Sequence, residues 1–262
     1  MIAGQLVLVG EARNSSDIPQ AVREDAEKLA RDLVESDSEQ GRLLEELLAA
    51  YSVARQRDFL TIGNPGGFGR KGSESDPEWG SVIDGIESTL KEMGYAVVRA
   101  QYVRTPEGLG QFLREFGETL RGYPEKAKAL KAEVAFLTQH IADLKVILTG
   151  NSDGGVYTNA VLRLLAGNPR VYGIMCGVPF YCRAAVPERT LVINDNGVIP
   201  DVLSRGNIAS IVWANVTHLP RYRSPEGHIM LYLRAPGHIY TWDHIRVREK
   251  IVSFLKANFG RS

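Results

Sequence analysis

A serine, two aspartates and a histidine are the residues best suited to chemistry in this chain. Ser152 lies in Gly150-Asn151-Ser152-Asp153-Gly154, a G-x-S-x-G pattern. Asp195 and Asp201 bracket the stretch Asn196-Gly197-Val198-Ile199-Pro200, and His238 follows Pro236-Gly237. A serine hydroxyl is a weak nucleophile until an imidazole takes its proton. The imidazole in turn needs a carboxylate to fix its tautomer and stabilise its charge. Together the three residue types suit attack on an acyl carbon through a covalent acyl-serine. Asp195 is the preferred carboxylate because it lies at a strand tip, with Asp201 the alternative.

These side chains need elements to position them. Val146, Ile147 and Leu148 form a short apolar run of the kind found in a covered parallel strand, and residues 157–165 carry apolar groups at helical spacing. Ser152 would then stand at a strained strand-to-helix corner that lifts its hydroxyl out of the sheet. The same corner aims the first helical N–H groups, Asp153 foremost, at the spot where an oxyanion would form. With 26 glycines in 262 residues, the pattern alone arises by chance on the order of once in ten such chains. The strand before it and the helix after it therefore carry the inference. The competing reading is an ordinary strand-to-helix turn with a serine near the helix cap.

Asp195 and His238 are also placed just after strands, at 190–194 and 227–234. Three groups past the C-terminal ends of three strands meet the rule that open α/β sheets gather their sites at that edge. Residues 58–63, 95–102 and 170–177 read as further strands. Helices are expected at 77–93, 124–139 and 246–259, with a glycine-interrupted segment over 105–120. Residues 204–218 read as one helix with Ile208, Ile211 and Val212 inward. The alternation predicts an α/β fold: a mostly parallel open sheet with helices on both faces. Residues 1–10 read as a strand or a loosely packed segment. Two amphipathic helices, at about 20–35 and 39–57, complete a helical N-terminal extension (1–57) to a core of 58–262 within one domain. The extension packs on the sheet or, alternatively, forms a lid or partner surface.

A glycine-rich loop, Asn64-Pro65-Gly66-Gly67-Phe68-Gly69-Arg70-Lys71-Gly72, follows the strand at 58–63. Gly67, Gly69 and Gly72 satisfy a dinucleotide fingerprint. However, the next helix is delayed to about Pro77, and the following strand ends without an acidic residue. A phosphate loop needs Gly-Lys-Ser/Thr in succession, which this loop does not supply. The favoured reading is a loop whose bare backbone closes around an oxygen as a second oxyanion donor. A plain surface loop is the remaining alternative.

Composition sets bounds. The chain is 44% hydrophobic and 24% charged, enough for a full core in a globular protein. Lys+Arg and Asp+Glu are both 31, so no charge excess suggests a nucleic-acid partner. The two cysteines, Cys176 and Cys182, show no zinc spacing. No apolar run approaches the ~20 residues of a membrane span. The N-terminus lacks a basic leader pattern, and a cytoplasmic location is the default expectation.

From about Phe59 to Phe259 the chain resembles the α/β-hydrolase superfamily. The resemblance rests on Gly150-Asn151-Ser152-Asp153-Gly154, on the loop Asn64-Pro65-Gly66-Gly67-Phe68, and on Pro236-Gly237-His238 before a terminal helix. It implies a nucleophile at Ser152, an acid at Asp195 or Asp201, and a base at His238. It also implies an oxyanion hole built from the N–H of Asp153 and one N–H of Gly66, Gly67 or Phe68. The implied reaction is hydrolysis of a small-molecule carboxylic ester, with a thioester next, and no metal or organic cofactor. Phe68, Phe180, Tyr181 and Tyr240 are candidates for an apolar acyl pocket, with core packing as the alternative. Two rival functions stand beside this one: a catalytically silent ligand-binding protein on the same fold, and a nucleotide-binding enzyme using the Gly63–Gly72 loop.

Overall fold

The computed structural model describes residues 5–9, 17–66, 76–103, 118, 121, 123–182, 184–217 and 235–260. The strands are β1 (Gln5–Val9), β2 (Phe59–Asn64), β3 (Val97–Val103), β4 (Lys145–Asn151), β5 (Val171–Cys176) and β6 (Thr190–Ile193). The helices are α1 (Gln20–Leu33), α2 (Asp37–Ala54), α3 (Pro77–Glu92), α4 (Pro124–His140), α5 (Asp153–Leu164), α6 (Val202–Arg205), α7 (Ile208–Val216) and α8 (Ile245–Phe259). One six-stranded sheet runs in the order β1-β3-β2-β4-β5-β6. Every pairing is parallel except that of β1 with β3. The fold is α/β, a mostly parallel open sheet with helices on both faces.

The two-residue period of a strand divides the core into two halves. On β2, β4 and β5, Leu60, Ile62, Val146, Leu148, Val171 and Met175 face one side. They are covered there by α1, α2, α4 and α5. Phe59, Ile147, Ile174 and Cys176 face the other side, covered by α3 and α8. Ile147 and Leu148 are both fully buried, each stabilising the fold by roughly 2 kcal/mol. The helices contribute the residues that their periodicity marks: Val82, Ile83, Ile86 and Leu90 from α3, and Val247, Ile251 and Leu255 from α8.

The order of strands fixes where a site can form. After β2 the chain crosses to β3 on one side. It then returns to lay β4 on β2's other side, and continues outward through β5 and β6. The strand order therefore reverses between β2 and β4, and the C-terminal side of that reversal is the usual ligand position in such sheets.

Residues 5–9, within the stretch read as a strand or a loosely packed segment, join the sheet as the antiparallel edge strand β1. Two expectations need correction. The single helix expected over 204–218 is two helices. Gly206, at φ 72°, ends α6, and Asn207 caps α7 by accepting from the Ser210 N–H. Of the three residues expected to face inward there, only Ile211 is buried; Ile208 and Val212 are more than half exposed. The strand expected at 227–234 lies outside the described residues, as do most of 105–120 and all of 67–75. Among the described residues no helix is long and apolar enough to cross a membrane.

Candidate active site

Ser152 occupies the corner between β4 and α5 with φ 53° and ψ −120°. It is one of two non-glycine residues at positive φ among those described. A side chain rarely adopts that backbone, and it persists only where surrounding structure over-determines it. Here the Ser152 N–H donates to the Cys176 carbonyl at 2.9 Å, and its own carbonyl accepts from Gly155 at 2.9 Å. The motif glycines are explained by contact. A Cβ on Gly154 would stand 2.0 Å from the Asn64 carbonyl oxygen, so only glycine lets α5 approach the end of β2 this closely. The Asn64 side chain reinforces that approach by donating to Thr158 Oγ1 of α5 at 3.0 Å.

The loop after β2 reaches the serine. A Cβ on Gly66 would lie 3.4 Å from Ser152 Cβ, so the Gly66 backbone borders Ser152. Gly67 and Phe68, the other candidates for a second oxyanion donor, lie outside the described residues. Asp153 is buried as the first residue of α5, so its N–H lies in the first turn of that helix.

His238 is supplied by the turn Ala235–His238, closed by the His238 N–H on the Ala235 carbonyl at 3.0 Å. Gly237 makes this turn possible. Its φ is 76°, and a Cβ there would fall 2.4 Å from the Pro200 carbonyl oxygen. The imidazole Nδ1 lies 2.9 Å from Asp201 Oδ2. An ionised carboxylate only accepts, so Nδ1 carries a proton, and in the neutral ring the lone pair is then the one on Nε2. Nε2 is buried and has no hydrogen-bond partner among the described residues. The ring lies against Gly177, where a Cβ would stand 2.8 Å from His238 Cε1. Gly177 follows Cys176, the residue whose carbonyl holds the Ser152 N–H. Ser152 and His238 thus converge on the same end of β5.

Asp201 is fully buried and carries five donors. Oδ1 accepts from the N–H groups of Leu203 at 2.9 Å and Ser204 at 3.1 Å. Oδ2 accepts from Ser204 Oγ at 2.8 Å, His238 at 2.9 Å and the Tyr240 hydroxyl at 2.7 Å. Burial pushes this carboxyl upward, but the bonds from His238, Tyr240 and Ser204 outweigh it and hold it below the ordinary carboxylate value. The Tyr240 phenol is pushed far up by burial and then by Asp201, so it stays a donor.

Asp195, the carboxylate preferred from the sequence, does not meet His238. It accepts from the Gly197 N–H at 2.8 Å and from Arg246 Nη1 at 2.7 Å, near the surface. Its carboxyl is lowered first by the Gly197 N–H and then by Arg246. The physical reason is a reversal after β6. Asp195 bridges to Pro200, so the chain folds back and brings Asp201, not the strand tip, against the histidine turn. Asn196, absent from the sequence-based candidates, fastens that reversal. Its Oδ1 accepts from Val198 and Ile199, while its Nδ2 donates to the carbonyls of Gly237 and Ile239, on either side of His238. The Asn-Gly pair was a turn signal, but nothing local showed that it would grip a segment forty residues away.

The aromatic pocket candidates separate. Phe180 lines a cavity of about 300 Å³ together with Asn159, Met175, Val178 and Ser204. Tyr181 is exposed. Tyr240 is buried against Asp201 and belongs to the hydrogen-bond network rather than to an apolar wall. Its closeness in sequence to His238 was the available signal.

No family model and no curated protein sequence matches this chain. Among solved structures, a Trichoderma reesei cutinase in complex with a C11Y4 phosphonate inhibitor matches at 14% identity and a TM-score of 0.44, covering 90% of this chain and 98% of the cutinase.

Proposed function

We propose that this protein is a serine hydrolase of the α/β-hydrolase type, cleaving carboxylic esters and, as the next choice, thioesters. The carrying observation is the bond between His238 and buried Asp201, set at the strand end to which strained Ser152 is tied. In the reaction, Ser152 Oγ attacks the acyl carbon while its proton passes to His238 Nε2. Asp201 stabilises the imidazolium through Nδ1. The carbonyl oxygen becomes an oxyanion held by the Asp153 N–H and by an N–H of the Gly66–Phe68 loop. Collapse of the tetrahedral intermediate breaks the bond to the alcohol or thiol, which leaves with the proton from Nε2. Water then attacks the acyl-serine by the same route in reverse and releases the acid.

To the hydrogen bonds described above the mechanism adds a contact between Ser152 Oγ and Nε2 and the two donors to the oxyanion. Such contacts commonly tighten only when substrate is bound. The loop after β2 supports the reading as well. Its described part, Asn64–Gly66, packs on Ser152 and Gly154, where a second oxyanion donor belongs.

A panel of p-nitrophenyl esters of rising acyl length, with one thioester, tests the assignment. Ser152→Ala should lower kcat/KM by roughly four to six orders of magnitude while the protein remains folded by circular dichroism. Activity within tenfold of wild type in that variant would remove Ser152 from the chemistry.

A further inference from the structure

We propose that Tyr123 is a positioning residue of the nucleophile corner: its hydroxyl holds the Asp153 carboxylate away from the place where the oxyanion forms. The proposal rests on the serine-hydrolase reading above. Tyr123 is fully buried, and its hydroxyl donates to Asp153 Oδ2 at 2.6 Å. It is the other non-glycine residue at positive φ, with φ 55° and ψ 50°, immediately before Pro124 of α4. Its ring meets Tyr157, one turn along α5, edge to face at 5.4 Å. An aromatic residue in the left-handed region persists only where packing fixes it, and here the fixed group is a donor aimed at the first residue of α5.

Asp153 poses a conflict. Its N–H must stabilise negative charge in the transition state, yet its side chain is itself an anion in the same helical turn. A carboxylate near a developing oxyanion repels it and competes for the same first-turn N–H groups. A short charge-assisted bond from a fixed phenol localises that charge on the α4 side of the turn. The alternative is a purely structural bond that pins α5 to the start of α4.

A double-mutant cycle separates the two. Tyr123→Phe and Asp153→Asn are made singly and together in the full chain. Each variant is assayed for kcat and KM on the best ester, for its rate of phosphonylation by a fluorophosphonate, and for its thermal midpoint. Charge positioning predicts that Tyr123→Phe lowers kcat and phosphonylation about tenfold to a hundredfold with KM within twofold. In the Asp153→Asn background the same change should alter both by less than threefold. Equal losses in the two backgrounds, or losses that follow the thermal midpoint or KM, would overturn it while leaving the hydrolase reading intact. Wild-type protein that neither turns over an ester nor reacts at Ser152 would overturn both.

Discussion

Asp201 and Asp195 lie six residues apart, and their surroundings give them opposite duties. Five donors converge on the buried Asp201 carboxylate, one of them the imidazole, whereas Asp195 serves a surface turn and Arg246. Asp201→Asn should therefore lower kcat by roughly four orders of magnitude, since the amide cannot fix the productive tautomer. Asp195→Asn should stay within a few-fold of wild type in the same steady-state assay. The reverse ranking would reinstate the strand-tip carboxylate. Linkage gives a second consequence. Asp201 is held below its unfolded value, so its contribution to stability is present above the ordinary carboxylate pKa of about 3.9 and is lost as pH falls through the lower folded value. Urea midpoints measured between pH 6 and pH 3 should fall more steeply for wild type than for Asp201→Asn. Parallel curves would show that Asp201 does not titrate this way.

At the scale of elements, the histidine reaches its place through two short connections, not through a helix or strand. The reversal after β6 and the Ala235–His238 turn are joined by Asn196, which accepts two N–H groups from its own loop and donates to two carbonyls of the histidine turn. Asn196→Ala should cost about 2 kcal/mol of stability, because four hydrogen bonds are lost together. It should also lower kcat about tenfold as the imidazole gains freedom. Chemical denaturation and kinetics on the same preparation check both, and a variant matching wild type in each would mean the two loops hold themselves. These loops also mark where the sequence stopped being legible. The strands and amphipathic helices follow from periodicity, which is local, and the Ser152 corner follows from a motif with its flanking elements. Choosing between Asp195 and Asp201 required knowing that Asp195 bridges to Pro200, a pairing that no periodicity encodes. The break between α6 and α7 has a similar cause. Gly206 and Asn207 form a stop and a cap inside a run that otherwise reads as one apolar helix.

For the molecule as a whole, the sheet is the platform that turns distant residues into neighbours. β2 and β4 lie side by side although about ninety residues separate them, so the Gly66 backbone borders Ser152. β5 then ends on the carbonyl that ties the serine, and the next residue, Gly177, is the glycine against which the imidazole lies. The parallel order and the two helical layers were readable from the alternation of strands and helices. The antiparallel edge strand β1 was not, because five residues near a terminus carry too little pattern to separate a strand from a loose segment. On the proposed function, Ser152 is the serine expected to react as a nucleophile. Intact-mass spectrometry after incubation with a fluorophosphonate, followed by peptide mapping, tests this most directly. The expected result is a single adduct on the Ser152 peptide in wild type and none in Ser152→Ala. Folded wild-type protein that stays unmodified, or an adduct on any other residue, would contradict the account.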